Sequence, residues 1–341
     1  MRGAPEQDLN TYGYPLPDAV LAQLLDKLQS YRPKAIGLDI VRDNPIPPSD
    51  LQGHQALNLH FQQNEKLIPV CAFDTNITPP PASPPFQLGF VDLYDDREFN
   101  RQDDTVRRYL LSRSLNNSSE ICPSPYSFAW QLIYLYLEDR GIAIDTIDNN
   151  WQFGSVVTQR LQKLSGGYQN LDGRGNQILI NYRHNPQQIA EKVSLGDILN
   201  NQIDRTLIQD RVILIGVTAS SVQDWHDTPY GEMRGIYIHA HVVSQILSAV
   251  EDKRPLIQWL SVWQDTAFIW FCSFLGGVII WYFPTVLTRS IAIGISLIIL
   301  SSFCWIMFVR GFWLPLIPSF VNFFTTASSL AVFGQRKKYL Q

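Results

Sequence analysis

The chain has 341 residues, a formal net charge of −4 at pH 7 and 17% charged residues. This mildly acidic balance, without a basic run that could follow a phosphate backbone in the first 258 residues, argues against a nucleic-acid-binding protein. Residues 1–258 are rich in charge and turn residues, whereas residues 259–333 carry very few charges. The composition therefore predicts a water-soluble domain followed by a membrane segment.

Helix and strand patterns alternate along the soluble segment. Asp18 is placed to cap a helix that continues to Tyr31, and a buried strand pattern then ends at Asp39. Further strand patterns cover residues 67–73, 87–93, 106–112, 177–182 and 211–217. Further helical patterns cover residues 51–64, 125–140, 195–200 and, after residues 236–239, 240–250. This alternation predicts an α/β fold with a mixed, mostly parallel sheet flanked by helices.

Three apolar segments close the chain, at residues 264–283, 289–309 and 312–333. Each is close to the ~20 residues that a helix needs to cross ~30 Å of hydrocarbon. The backbone must satisfy its own hydrogen bonds in lipid, so the sequence predicts an all-α bundle of three transmembrane helices. Pro315, Pro318 and Asn322 interrupt the third segment and make it the weakest of the three.

The flanking charges indicate an orientation. A run of three basic residues marks residues 334–341 as a cytoplasmic tail by the positive-inside rule: Arg336, Lys337 and Lys338. Three crossings then place residues 1–258 outside the cytoplasm. Three other basic residues argue weakly for the opposite orientation: Lys253, Arg254 and Arg310.

The first ten residues, MRGAPEQDLN, are polar and contain no signal peptide. A domain of this size outside the cytoplasm normally needs an upstream export signal. We therefore expect either that the chain begins too late or that its topology is inverted.

Four stretches of the soluble segment occur in a familiar order: residues 15–40, 103–111, 211–231 and 235–256. The most specific is the third, RVILIGVTASSVQDWHDTPYG. Followed by three membrane helices, they resemble the type-two CHASE domain, a sensory extracellular domain of bacterial membrane receptors. Members of that family usually begin with a membrane helix and a strand that this sequence lacks. The resemblance therefore implies a sensor that is N-terminally truncated.

The resemblance implies that residues 1–258 bind an unknown signal and relay it through the three membrane helices to a cytoplasmic kinase or cyclase. No kinase or cyclase motif is present, so we expect a sensor without its output domain. The expected location is the bacterial inner membrane, multi-pass, with a periplasmic or extracellular domain and a cytoplasmic C-terminus. The expected partners are the lipid bilayer, an extracytoplasmic ligand and a separate output protein. A homodimer is left open, because no heptad pattern demands one.

The richest polar cluster follows the strand pattern at residues 211–217. Ligands of α/β folds bind at the C-terminal ends of parallel strands. The candidate ligand-binding residues are Asp39, Asp224, His226, Asp227, Thr228 and Tyr230. The alternative is a hydrogen-bonded loop that orders the junction with the last helix, because such residues often satisfy backbone donors in turns.

Two smaller signals stay open in the sequence. We expect no cofactor and no metal, and the remaining metal candidates are His239 and His241, which share a face on a strand but not on a helix. Cys71 and Cys122 form a disulfide in an oxidising compartment, or else remain two unpaired apolar side chains.

Pro255 and Gln258 lie in the junction before the first membrane segment, where we expect the signal to pass from the last soluble helix. We expect a protein that is not an enzyme. The rival interpretation is a membrane-anchored periplasmic enzyme that uses Asp39, Asp224 and His226. A third interpretation is a non-signalling fragment of a split receptor gene.

Overall fold

The computed structural model describes residues 5–75, 77–97, 102–115 and 120–339. The helices are α1 (Pro5–Tyr12), α2 (Asp18–Ser30), α3 (Leu51–Gln63), α4 (Phe128–Asp139), α5 (Leu195–Leu199), α6 (Gly235–Glu251), α7 (Val262–Tyr282), α8 (Val286–Val309) and α9 (Leu316–Tyr339). The strands are β1 (Ala35–Asp39), β2 (Leu67–Cys71), β3 (Gly89–Phe90), β4 (Arg108–Ser112), β5 (Ile144–Ile147), β6 (Asn150–Phe153), β7 (Val156–Val157), β8 (Leu164–Ser165), β9 (Tyr168–Gln169), β10 (Asn176–Leu179), β11 (Val212–Gly216), β12 (Trp225–Thr228), β13 (Gly231–Arg234), β14 (Gln258–Trp259) and β15 (Phe312–Trp313).

The chain forms two compact units. The α/β unit comprises Met1–Arg160 and Arg174–Arg254, and the helical unit comprises Leu161–Gly173 and Pro255–Gln341. The short hairpin β8–β9 therefore belongs to the helical unit, although the α/β unit encloses it in sequence.

A four-stranded parallel sheet in the order β11-β1-β2-β3 forms the centre of the α/β unit. Strands β1 and β2 are buried almost throughout and read as continuous apolar runs, as parallel strands covered on both faces do. Antiparallel pairs β4–β10 and β12–β13 and the meander β5–β6–β7 form separate small sheets. The predicted mixed α/β domain with a parallel sheet is confirmed.

Alternate residues of β1 enter different cores. Ile36 and Leu38 join the core formed with α2, α3 and α5, while Ala35 joins the core formed with α4 and α6. Gly37 lies against α4, where an added Cβ would be 2.4 Å from Cζ of Phe128. The period-two alternation of a strand thus explains both the two layers of helices and the glycine, which lets α4 approach the sheet.

Cys71 and Cys122 are joined by a disulfide, with their Cα atoms 5.3 Å apart. The bridge lies at the end of β2 in a buried cluster with Leu88, Phe90 and Leu110. Of the two alternatives that the sequence leaves open, the structure has the bridged one. Disulfides of this kind persist in oxidising compartments.

Three segments differ from the sequence prediction. Helix α6 begins at Gly235, so residues 236–239 are helical rather than a lead-in to the helix. Residues 151–175 contain part of the meander β5–β6–β7 as well as the hairpin β8–β9. Helix α9 continues to Tyr339 and so includes most of the segment expected to be a tail.

Two helices of the described residues, α7 and α8, are long and apolar enough to cross a membrane. In α9 the apolar stretch is shorter and covers Leu316–Ala331. The prediction of three such helices is thus met by two in the described part of the chain. The third helix also begins later than predicted, because Phe312 and Trp313, counted as the start of the third segment, form strand β15 instead.

Helices α7 and α9 pack closely through residues four apart on each helix. The buried residues are Cys272, Gly276 and Ile280 on α7, and Ser319, Phe323 and Ala327 on α9. A Cβ added at Gly276 would lie 2.7 Å from the carbonyl oxygen of Phe323. Small residues commonly permit such close approach between membrane helices.

Candidate functional site

Asp39 ends the central strand β1, beside Gly216 at the end of β11. Its side chain is half-buried, and its carboxylate makes no hydrogen bond or ion pair with any described residue. Burial, and secondarily the negative charge of Asp224, raise the pKa of Asp39 to about 7, while His226 acts in the opposite direction. This carboxyl group is therefore close to half-ionised at neutral pH.

The side chains of Asp224 and His226 lie near the N-terminus of α6. One Asp224 carboxylate oxygen accepts a hydrogen bond from the backbone N–H of Gly235 at 3.0 Å, and the other lies 3.2 Å from Nε2 of His226. The N-terminus of a helix favours a carboxylate, because the first N–H groups have no partner within the helix. We call Asp39, Asp224 and His226 the Asp39 site, because Asp224 and His226 both interact electrostatically with Asp39.

A buried pair lies on α6 and β4 next to the Asp39 site. Nδ1 of His239 is 2.8 Å from the hydroxyl oxygen of Tyr109, and the imidazole is 2% exposed. Burial lowers the pKa of His239 to about 3, so the ring is neutral. The Tyr109 hydroxyl, whose pKa burial raises, then donates to Nδ1, and Nε2 carries the proton. Nε2 has no hydrogen-bond partner among the described residues.

Arg234 holds the loop that carries Asp224. Its guanidinium is 1% exposed, donates to the carbonyl oxygens of Val222 and Ala219, and lies 4.0 Å above the ring of Trp225. Neither Arg234 nor Tyr109 is predicted as a site residue from the sequence. The only sequence signal for Tyr109 is its place in the stretch at residues 103–111, since its partner His239 lies 130 residues away.

Replacing Arg234 with Met is expected to loosen the loop at residues 217–224 and to cost about 2 kcal/mol of unfolding free energy, because two buried carbonyl groups lose a charged donor. Hydrogen–deuterium exchange of this loop in the full chain measures the effect. Arg211→Met is the matched control, since Arg211 also donates to a backbone carbonyl but is exposed. Equal protection of the loop in both variants would contradict the role of Arg234.

The remaining predicted residues lie on the hairpin β12–β13. The pKa of Asp227 is raised because its carboxyl group hydrogen-bonds to that of Asp104. The Thr228 hydroxyl donates to the carbonyl of Gly231 at 2.6 Å and accepts from the N–H of Tyr230. The structure thus brings together Asp39, Asp224 and His226. The contacts of Thr228 instead match the alternative interpretation of this segment, in which its polar side chains order a turn.

The family model of the CHASE2 domain matches residues 4–278. The chain belongs to the CHASE2 family. This is a family of sensory extracellular domains, so the resemblance drawn from the four sequence stretches is confirmed. No curated protein and no solved structure matches the chain.

The two histidines considered for metal binding lie two residues apart on helix α6 of this CHASE2 domain and do not share a face. Nε2 of His241 donates to the carbonyl of Pro186 at 2.9 Å, and Nδ1 accepts from the N–H of Arg183. Burial is the main reason that the pKa of His241 falls to about 4. In the described parts of the chain, no three His, Cys, Asp or Glu side chains are grouped to hold a metal ion.

Pro255 and Gln258, the predicted coupling residues of the CHASE2 protein, both belong to the helical unit. The N–H of Gln258 donates to the carbonyl of Gly311 at 2.7 Å, and strand β14 pairs with β15 in the turn between α8 and α9. An added Cβ at Gly311 would lie 2.9 Å from Cβ of Pro255. The segment that enters α7 is therefore fastened to the far end of α8.

Proposed function

We propose that this CHASE2 protein is a membrane-anchored sensor that binds a small signal molecule at the Asp39 site and relays its presence to a cytoplasmic output domain. Family membership supports the sensory, extracellular role of the α/β unit. The Cys71–Cys122 disulfide supports a location in an oxidising compartment. The output domain is a kinase or cyclase, carried by a separate protein or a further segment.

The observation that carries the proposal is the free carboxylate of Asp39. Buried polar groups are ordinarily hydrogen-bonded, and a carboxyl group that is partly removed from water without gaining a partner is costly. Asp39 ends a central parallel strand, where α/β folds bind ligands, and Asp224 adds a second carboxyl group. The chemistry of this pair suits a ligand that donates hydrogen bonds or carries positive charge.

The helical unit offers the path for the relay. The tight contact of Gly276 with Phe323 couples α7 to α9, and Gln258 fastens the entry of α7 to the turn before α9. A displacement of the entry segment would then move α7 and α9 together. We propose α9 as the third crossing, which brings the chain to the cytoplasmic side.

The relay is tested by replacing Gly276 with Leu in a fusion of the full chain to a histidine-kinase output domain. The larger side chain is expected to separate α7 from α9 at a cost of about 2 kcal/mol, and to abolish the response of the kinase to low-molecular-weight medium fractions. Gly294→Leu is the matched control, because no atom lies within 4 Å of a Cβ added there. An unchanged response in the Gly276 variant would contradict the relay.

The same fusion tests the site. Asp39→Asn and Asp224→Asn are each expected to raise the half-maximal dose of the active fraction about tenfold, because each removes a charged hydrogen-bond acceptor for the ligand. An identical dose–response curve would contradict ligand binding at the Asp39 site. If the fraction were instead converted chemically, and Asp39, Asp224 and His226 were all required, the result would support the rival enzyme.

A further inference from the structure

Two arginines of the α/β unit interact electrostatically near the C-terminal end of α6, Arg183 against the side of the helix and Arg254 just after its last residue. Arg183 donates from Nε to the hydroxyl of Ser244 at 2.9 Å and from Nη2 to the hydroxyl of Ser248. Arg254 donates from Nη2 to the carbonyl of Asn181 at 3.0 Å. All three partners are neutral, so the hydrogen bonds orient the two guanidinium groups without neutralising them.

Neither guanidinium has a counter-charge within the described residues. No carboxylate there forms an ion pair with Arg183 or Arg254, whereas Arg107, Arg113 and Arg140 each have an acidic partner. Burial, and next the charge of Arg183, lower the pKa of Arg254. Nη1 of Arg254 is buried and has no hydrogen-bond partner in the described chain. The pair thus combines unopposed positive charge with an unused buried donor, which is unfavourable without a ligand.

The neighbouring groups are uncharged. The pKa of His241 is lowered by burial and further by Arg254 and Arg183, so its imidazole adds no charge. The phenol of Tyr230 favours the charged form of Arg254 and is half-exposed, so the surroundings of the pair are open to solvent on that side. Two serine hydroxyls, one phenol and two guanidinium groups form a polar, positively charged surface.

We propose that Arg183, Arg254, Ser244 and Ser248 form a binding site for a phosphate-type oxyanion. Arginine presents a planar fork of donors that matches phosphate oxygens, and the hydroxyls supply further donors. The ligand is either a free phosphate or the phosphate of an anionic lipid headgroup. Val262, the first residue of α7, follows Arg254 by only eight residues. The site is separate from the Asp39 site and does not depend on the function proposed there.

The test uses the full chain in lipid nanodiscs. In discs of phosphatidylcholine, inorganic phosphate is titrated by calorimetry. In discs of phosphatidylcholine mixed with phosphatidylglycerol, lipid retained by the purified protein is measured by mass spectrometry. Arg183→Gln and Arg254→Gln are each expected to weaken binding about tenfold in the arm that binds. Lys253→Asn is the control, because it removes an adjacent exposed charge and Asn tolerates the left-handed backbone there (φ 57°).

Binding of inorganic phosphate that the Gln variants lose identifies a free-anion site, and selective retention of phosphatidylglycerol that they lose identifies a headgroup site. Absence of binding in both arms overturns the proposal, as does an equal loss in Lys253→Asn. If Arg254→Gln proves unfolded by circular dichroism, Arg254→Lys decides. It is expected to bind several-fold more weakly because lysine lacks the fork, and unchanged affinity overturns the proposal.

Discussion

Replacing Cys71 and Cys122 with Ser is expected to lower the free energy of unfolding of the α/β unit by about 4 kcal/mol. The bridge spans 51 residues, so its loss returns a large loop-closure entropy to the unfolded chain. It also exposes a buried cluster that includes Phe90 to two polar hydroxyl groups. The measurement is hydrogen–deuterium exchange of β2 and β3 in the full chain, with and without reductant.

The free cysteines of the helical unit supply the control. Cys272 and Cys304 are both buried and unbridged, so a Cys272→Ala, Cys304→Ala double variant loses two thiols but no disulfide. Its β2 and β3 segments are expected to keep the protection of the parent chain and the same sensitivity to reductant. Equal exchange before and after reduction of the parent chain would show that the bridge contributes no stability.

The layered α/β fold could be predicted because each parallel strand is a short apolar run and each helix carries its own periodic apolar face. Residues 35–40 illustrate this, since the strand signal and the terminal Asp39 are both local. The start of the third membrane segment could not be predicted from the sequence. Phe312 and Trp313 are as apolar as a helix requires, and only their pairing with Gln258 and Trp259, distant in sequence, turns them into a strand.

The candidate site could be predicted only in part, for the same reason. Asp39 ends one strand and Asp224 lies in the loop after another, and both are local signals. The sequence could not show that the β12–β13 hairpin keeps Thr228 occupied with turn contacts. From the sequence, Arg254 serves only as a charge that indicates membrane orientation. Its interaction with Arg183, some seventy residues earlier in the sequence, and its lack of an acidic partner are features of the folded chain.

Replacing Asp39 with Asn is expected to stabilise the protein at pH 8 more than at pH 5. The pKa of Asp39 is about 7 in the folded state against an ordinary 3.8, so the folded state holds a proton that the unfolded chain releases between these values. The stability of the parent chain therefore falls as pH rises through this window, and Asn, which cannot ionise, avoids the loss. The gain of the variant should grow by about 2 kcal/mol from pH 5 to pH 8, less than the full linkage value because the carboxyl group is half-buried.

Stability must be compared as a difference between variant and parent, because two histidines give the protein a pH dependence of stability opposite to that of Asp39. His239 and His241 have lowered pKa values of about 3 and about 4, so their contributions favour folding above pH 6.5 and are lost as pH falls. They are present in both proteins, so subtraction of the thermal unfolding midpoints at each pH isolates the contribution of Asp39 to stability.

The exposed residue Asp252 provides the control, and Asp252→Asn is expected to show no pH-dependent gain. A gain for Asp39→Asn that is constant from pH 5 to pH 8 would mean that Asp39 is ionised throughout. The carboxyl group would then already be stabilised by a partner, and this result would contradict ligand binding at the Asp39 site.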